Sequence, residues 1–318
     1  MDRRTFLLHS LASAFLVACG SDPTLPEAPV GGVSADPASN FHAIYDDPTL
    51  RARFKLFLTN VFHLYPEDDL HALVHAATQA HPTDEAIYGA VVEGLPGITP
   101  TASLLRYALP ALQTQKSVMA AQAAALLGEG TTVDGYLEIG TVGRYRKALG
   151  KVLDLQGPSF VVNDRKPSKD LSDMVERGSY GEAGTFVELA DYAPIGEGVP
   201  SGSVGLVTNY IGFHHAPKAA LDGFVASIRR VLRPDGHLLL REHDVNRPVM
   251  EHLVGLAHDV FNAGTSVDWA GNAAEIRNFR SIDGWTAYLA SQGFVRKPGQ
   301  QRQAGDPTDN VLLVFARA

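Results

Sequence analysis

The stretch Tyr136-Leu137-Glu138-Ile139-Gly140-Thr141-Val142-Gly143-Arg144-Tyr145 decides how the rest of the chain is read. Its first four residues make a short apolar strand, Gly140 and Gly143 follow, and a helix-like segment comes next. A glycine just past a strand lets the backbone turn tightly and approach a ligand closely. In an open parallel sheet, ligands bind where strands end at their carboxyl edges.

Outward from this point the pattern repeats. Phe160-Val161-Val162, Thr185 to Leu189, Val204 to Val207 and His237 to Leu240 are further short apolar strands. Helix-like segments lie between them, the clearest carrying Leu221, Phe224, Val225, Ile228, Val231 and Leu232. Such alternation calls for a parallel sheet covered on both faces, an α/β fold. A helix over Ile282–Gln292 and strands over Phe294–Arg296 and Asn310–Phe315 close the chain.

Before Gly128 the texture is different. Leu50, Phe54, Phe57, Leu58, Val61 and Phe62 recur at helical spacing, and Pro66 and Pro82 restart the pattern. A longer helix is expected from Thr101 to Leu127, kinked or broken at Pro110. Residues 41–130 thus form a helical subdomain, a lid or docking surface, ahead of a sheet domain over 131–318. His71 and His75 stand at i and i+4 and could chelate a metal. With no glutamate between them in a zinc-protease spacing, they read as a solvated helix face.

The amino terminus reads as an address. Arg3-Arg4 precede an apolar stretch from Thr5 to Val17, and small residues precede Cys19. These are the parts of a secretory signal over 1–18. Asp2 to Leu8 resembles a twin-arginine export signal, and Leu16-Val17-Ala18-Cys19 resembles a bacterial lipobox, which implies lipidation at Cys19. The Pro/Gly/Ser-rich residues 19–40 read as a flexible tether, so the expected location is exported and membrane-anchored by lipid alone.

Composition narrows the function. The 318 residues carry 27 Lys+Arg against 35 Asp+Glu, a net charge of −8, with no basic block. A nucleic-acid groove has the opposite balance. No apolar run reaches the ~18 residues that a spanning helix needs. Cys19 is the only cysteine, which excludes an internal disulfide framework and a thiolate zinc site.

The other strand ends bear the chemistry. The second ends in Asn163-Asp164, an acid suited to a ribose diol, and the third in Leu189-Ala190-Asp191-Tyr192. The fourth ends in Thr208-Asn209-Tyr210-Ile211-Gly212-Phe213-His214-His215, where the histidines shape the strand-to-helix turn. The fifth ends in Arg241-Glu242-His243-Asp244. A histidine beside carboxylates can act as a general base near neutral pH, so Glu242, His243 and Asp244 are the candidate catalytic residues. The pair His258-Asp259 is a candidate neighbour, and the alternative use of these groups is N/O ligation of a divalent metal.

Together, residues 134–318 resemble a class I S-adenosylmethionine-dependent methyltransferase domain of the broad group called type 11. Gly202 to Asn209 with Phe213-His214-His215 is similar to that family's fourth-strand motif. Arg229 to Leu240 resembles its Leu-Arg-Pro-Gly-Gly turn, and Trp285 with Gly293-Phe294 its closing helix. The resemblance implies a Rossmann-like sheet, S-adenosylmethionine as cofactor, and a small-molecule or lipid-like acceptor. It places Glu138, Gly140 and Gly143 at the methionine end, Asp164 on the ribose, Asp191 on the adenine amine, and Asn209 below the sulfonium. Val142 or a one-residue gap stands where the family has its middle glycine, and a β-branched side chain there is expected to restrict the turn and point toward the ligand. S-adenosylmethionine is made in the cytoplasm, whereas the address sends the chain outside. The second expectation is therefore an exported binding protein that keeps the nucleoside cleft without catalysis. A hydrolase built on Glu242, His243 and Asp244 finds no Gly-x-Ser-x-Gly elbow.

Overall fold

The computed structural model describes residues 39–100, 107–181 and 183–318, so the export signal, most of the tether and Cys19 lie outside the described residues. The chain divides into two compact units. One comprises Met1–Thr114, Arg247–Ala274 and Gln303–Thr308; the other comprises Gln115–Asn246, Glu275–Arg302 and Asp309–Ala318. None of the described helices is long and apolar enough to cross a membrane.

The first unit is helical: α1 (Asn40–Tyr45), α2 (Pro48–Phe57), α3 (Glu67–Ala80), α4 (Asp84–Ile98) and the start of α5 (Leu109–Leu127). Asp47 caps α2 by accepting from the Thr49 and Leu50 amides at 2.7 and 3.0 Å, with Pro48 preset for the first turn. Pro110 is the second residue of α5, which directly follows a π-helical pair at 107–108. Two segments absent from the expected helical subdomain join this unit, α9 (Pro248–Gly264) and α10 (Trp269–Ala274). The reason is burial. Met250, Leu253, Val254, Leu256, Ala257 and Val260 leave α9 little exposed face, and Gly255 admits the Asn40 side chain where a Cβ would clash at 2.7 Å.

Polar residues knit the same unit. Asp259 is buried and accepts from Asn40 Nδ2 at 2.9 Å and Asn272 Nδ2 at 2.8 Å. That carboxylate is therefore an internal tie of the helical unit. His71 and His75 are half-buried against the Tyr45 ring, and His75 Nε2 lies 2.8 Å from the Arg51 guanidinium. They are not the solvated face that the spacing suggested, and the neighbouring cation opposes a metal there.

The second unit is a sheet: β1 (Thr132–Ile139), α6 (Arg146–Leu149), β2 (Asp154–Asn163), α7 (Leu171–Arg177), β3 (Thr185–Glu188) and β4 (Val204–Asn209). There follow α8 (Lys218–Val231), β5 (Leu232–His243), α11 (Ile282–Ser291), β6 (Phe294–Arg296), β7 (Gln301–Arg302) and β8 (Asn310–Arg317). The strand order is β3-β2-β1-β4-β5-β8-β6, with β7 paired to β8. Strands β1 to β5 pair in parallel, and β8 runs antiparallel to both β5 and β6. This is the 3-2-1-4-5 core of a doubly wound sheet with a reversed strand inserted before the last. The expected Rossmann-like α/β fold is what forms.

Alternating strand residues serve two cores. Leu137, Ile139, Leu238 and Leu240 pack with Leu221, Phe224 and Ile228 of α8 and Trp285 of α11. Tyr136, Leu206 and Leu239 pack on the other face against Met119, Ala120 and Ala123 of α5. Register then builds the edge. Asn209 at the end of β4 pairs with Leu240, so Glu242 and His243 of β5 run beyond it.

Candidate functional site

At the middle of the carboxyl edge, the loop after β1 turns on Gly140 (φ +83°) and Gly143 (φ +91°), a conformation that disfavours any side chain. The contacts are equally exclusive. A Cβ on Gly140 would lie 2.2 Å from Ile211 Cδ1, and one on Gly143 would lie 2.1 Å from Ala183 Cβ. Val142, expected to reach toward a ligand, is fully buried instead.

Glu138 also faces inward. Its carboxylate accepts from the Thr141 hydroxyl, from Tyr136 Oη at 2.8 Å and from the Tyr145 amide at 3.2 Å. Burial raises its pKa, and these donors with Arg144 oppose the rise. Glu138 thus holds the glycine loop through Thr141 and Tyr145. Beside it, the buried guanidinium of Arg144 donates to Glu176 Oε1 at 3.0 and 3.1 Å and to Gln115 Oε1 at 3.3 Å. Lys116 is buried in the same cluster, and burial, with Arg144 adding repulsion, brings its ammonium down to about 8.

Acids gather at the ends of β2 and β3, where Asn163 and Glu188 are register partners. Asp164 follows directly, and partial burial and the like charges of Asp191 and Glu188 raise its carboxyl pKa. Ala190, Asp191 and Tyr192 form a short left-handed run, with φ of 45°, 53° and 63°. Left-handed backbone costs roughly 1–2 kcal/mol per non-glycine residue and tends to persist at functional sites. Tyr192 is buried, and its phenol pKa is raised by that burial and by the charges of Asp164, Glu242 and Glu275.

At the ends of β4 and β5 the site becomes imidazole-rich. Asn209 is buried; its Oδ1 accepts from the Gly212 amide at 3.1 Å, and its Nδ2 finds no partner among the described residues. Glu242 is fully enclosed, accepting from the Phe213 amide and pairing with His214 Nδ1 at 2.7 Å. Desolvation pushes its carboxyl up to about 8, against the pull of those N–H donors. The ring of His214 lies 5.5 Å from that of His243 and 5.3 Å from that of Phe279. His215 is 3.7 Å from Glu275.

The fifth-strand triplet therefore separates. Glu242 engages His214, a residue that the motif reading had assigned only to a turn. Asp244 leaves the group: its Oδ1 accepts from the Ile282 amide at 2.9 Å, and its Oδ2 lies 3.4 Å from Arg302. It fastens the start of α11 and is spent there. Arg144, Lys116, Glu176 and Tyr192 were not singled out from sequence. The only available signal was the charge-dense Asp173-Met174-Val175-Glu176-Arg177, whose charged side chains the fold buries.

No protein-family model and no curated protein matches the chain. Solved structures do show likeness. The Burkholderia thailandensis 1,6-didemethyltoxoflavin-N1-methyltransferase, with bound 1,6-didemethyltoxoflavin and S-adenosylhomocysteine, is 16% identical, with a TM-score of 0.45 over 64% of this chain and 78% of that one. The trans-methyltransferase CalH, in complex with S-adenosylhomocysteine, is 14% identical, with a TM-score of 0.46 over 88% of each chain. A Mesorhizobium loti S-adenosylmethionine-dependent methyltransferase is 13% identical, with a TM-score of 0.44 over 65% of this chain and all of that one. At these scores the chain's own residues carry the functional reading.

Proposed function

We propose that the chain is an S-adenosylmethionine-dependent methyltransferase for a small-molecule acceptor. One observation carries this reading: the carboxyl edge has an acidic end at Asp164, Glu188 and Asp191, a glycine turn in its centre, and an imidazole end at His214 and His243. The acidic end suits a ribose diol and an adenine amine, both hydrogen-bond donors. The orphan Nδ2 of Asn209 lies on β4, between these two ends in strand order, where a cofactor's reacting group would sit. The imidazole end would receive the acceptor. Methyl transfer needs in-line approach to the sulfonium, so positioning supplies most of the acceleration.

Calorimetry on the full chain tests this. S-adenosylmethionine or S-adenosylhomocysteine is expected to bind, and Asp164→Ala to weaken binding about 10- to 100-fold, the worth of hydrogen bonds to a charged group. A diol needs the carboxylate form of Asp164. Its raised pKa therefore means that affinity falls, as pH drops, earlier than an ordinary aspartate would dictate. Asp191→Asn removes a like charge and is expected to move that acid edge to lower pH. No heat from either ligand at millimolar concentration would overturn the reading.

A second reading is favoured by one feature. Ile211 and Ala183 fill the space over Gly140 and Gly143, which suits a cleft altered for another nucleoside-like ligand without turnover. Binding with no methyl transfer to any acceptor pool would support that alternative. Export and lipid attachment at Cys19 belong to the same proposal and rest on Arg3-Arg4 and the Leu16-to-Cys19 segment. In a bacterial host, Cys19→Ser is expected to move the chain from the membrane to the soluble fraction. Persistent membrane association of that variant would remove the lipoprotein reading.

A further inference from the structure

The imidazoles at the β4 and β5 ends are arranged as ligands. His214 and His243 bring ring nitrogens within 4.8 Å of each other. Two imidazoles sharing one tetrahedral metal, with nitrogens ~2.1 Å from it, set their ring centroids roughly 5 Å apart. Here the centroids are 5.5 Å apart and the planes are inclined by 58°, which is convergence and not stacking.

Glu242 supplies the second element. Its Oε2 lies 2.7 Å from His214 Nδ1. A carboxylate on one ring nitrogen fixes the tautomer, turns the other nitrogen outward and raises its basicity, as carboxylate–histidine–metal arrangements do. The carboxylate is itself held by the Phe213 amide, and Gly212 leaves room for both: a Cβ there would meet His214 Nδ1 at 2.5 Å and Glu242 Oε2 at 3.0 Å. The third element is an apolar wall, the Phe279 ring, at 5.3 Å from His214 and 6.2 Å from His243. Arg241 and Arg280 bring positive charge toward Glu242, but Arg280 lies over the Trp285 and Tyr288 rings at 4.7 and 4.8 Å.

We propose that His214 and His243 form a binding site for a divalent first-row metal ion, with Glu242 as the group that orients His214. Two nitrogen ligands favour zinc, cobalt or nickel over magnesium and calcium, which take oxygen. The remaining positions stay open to water or to an oxygen of a bound small molecule. This differs from the Glu242/His243/Asp244 grouping read from the sequence, because Asp244 is committed to α11.

The test is titration of the full chain with zinc or cobalt alone, by calorimetry and by cobalt absorption, in a Cys19→Ser background that removes the chain's one thiolate. One metal per chain is expected. His243→Ala, a change at a half-buried position, is expected to weaken binding at least tenfold, and Glu242→Gln by about 10- to 100-fold. Absence of binding at millimolar metal overturns the proposal. So does affinity unchanged in a folded His243→Ala chain. Because neither titration contains S-adenosylmethionine, failure here leaves the methyl-transfer reading standing, and the reverse also holds.

Discussion

Glu138→Ala is expected to lower the unfolding free energy by about 3–5 kcal/mol, because it strands several donors inside the protein. The Tyr136 hydroxyl, the Thr141 hydroxyl and the Tyr145 amide all converge on this one carboxylate, which is 1% exposed. Each unsatisfied buried donor costs about 1–3 kcal/mol. In a thermal melt the loss should appear as a fall in Tm of roughly 10 °C. Glu138→Gln preserves the shape but sets an amide N–H₂ among donors, so a smaller fall is expected. The same variants report on the glycine turn, since Thr141 and Tyr145 lie on either side of Val142 and Gly143. A Glu138→Ala chain as stable as the parent would show that the carboxylate is not holding the loop.

Arg144→Met is expected to be as damaging, for a different reason. Arg144 and Glu176 form an ion pair with 2% of each side chain exposed. Removing one partner of a buried pair leaves an uncompensated charge and costs about 3–5 kcal/mol. The variant should also acquire a pH dependence of definite sign. Burial already raises the Glu176 pKa, with Arg144 as the main force opposing that rise. Without Arg144 the folded-state pKa climbs further above the unfolded value. Stability from that proton is then present at low pH and lost as pH rises through the folded pKa. Chemical denaturation at pH 5.5 and pH 8 checks this, with the larger deficit expected at pH 8. Arg144→Met combined with Glu176→Leu is expected to recover most of the loss, because an apolar pair of similar volume can replace a buried salt bridge. A double variant as unstable as the single one would show that the pair matters through its shape and not its charge.

Much of the sheet is legible in the chain because burial leaves a local trace. Leu137-Glu138-Ile139, Phe160-Val161-Val162 and Leu238-Leu239-Leu240 are near-continuous apolar runs of the kind that a sheet buried on both faces requires. Gly140 and Gly143 announce their positive φ through their lack of a side chain, and Asp164 marks the end of β2 by following directly on an apolar strand. The same local logic drew one boundary near residue 130 and did not separate α9 and α10, which cluster with the first unit. Their helical pattern is plain, but nothing in it tells which unit their buried faces belong to.

The pairings at the site had no such trace. His214 and Glu242 are 28 residues apart, and Arg144 and Glu176 are 32 apart. Charge next to charge in Glu242-His243-Asp244 suggested a triplet, yet β5 ends at His243, and Asp244 beyond it accepts from the Ile282 amide at the start of α11. The left-handed run at Ala190, Asp191 and Tyr192 consists of residue types that do not advertise it, and it exists only because its surroundings impose it. The sequence alone thus settles the kinds of elements, their order and which strand ends carry acids, since composition and periodicity report on local burial. Which acid faces outward, which is consumed inside, and which histidine stands beside which carboxylate are properties of strand register and packing. Those arise only when distant segments are brought side by side.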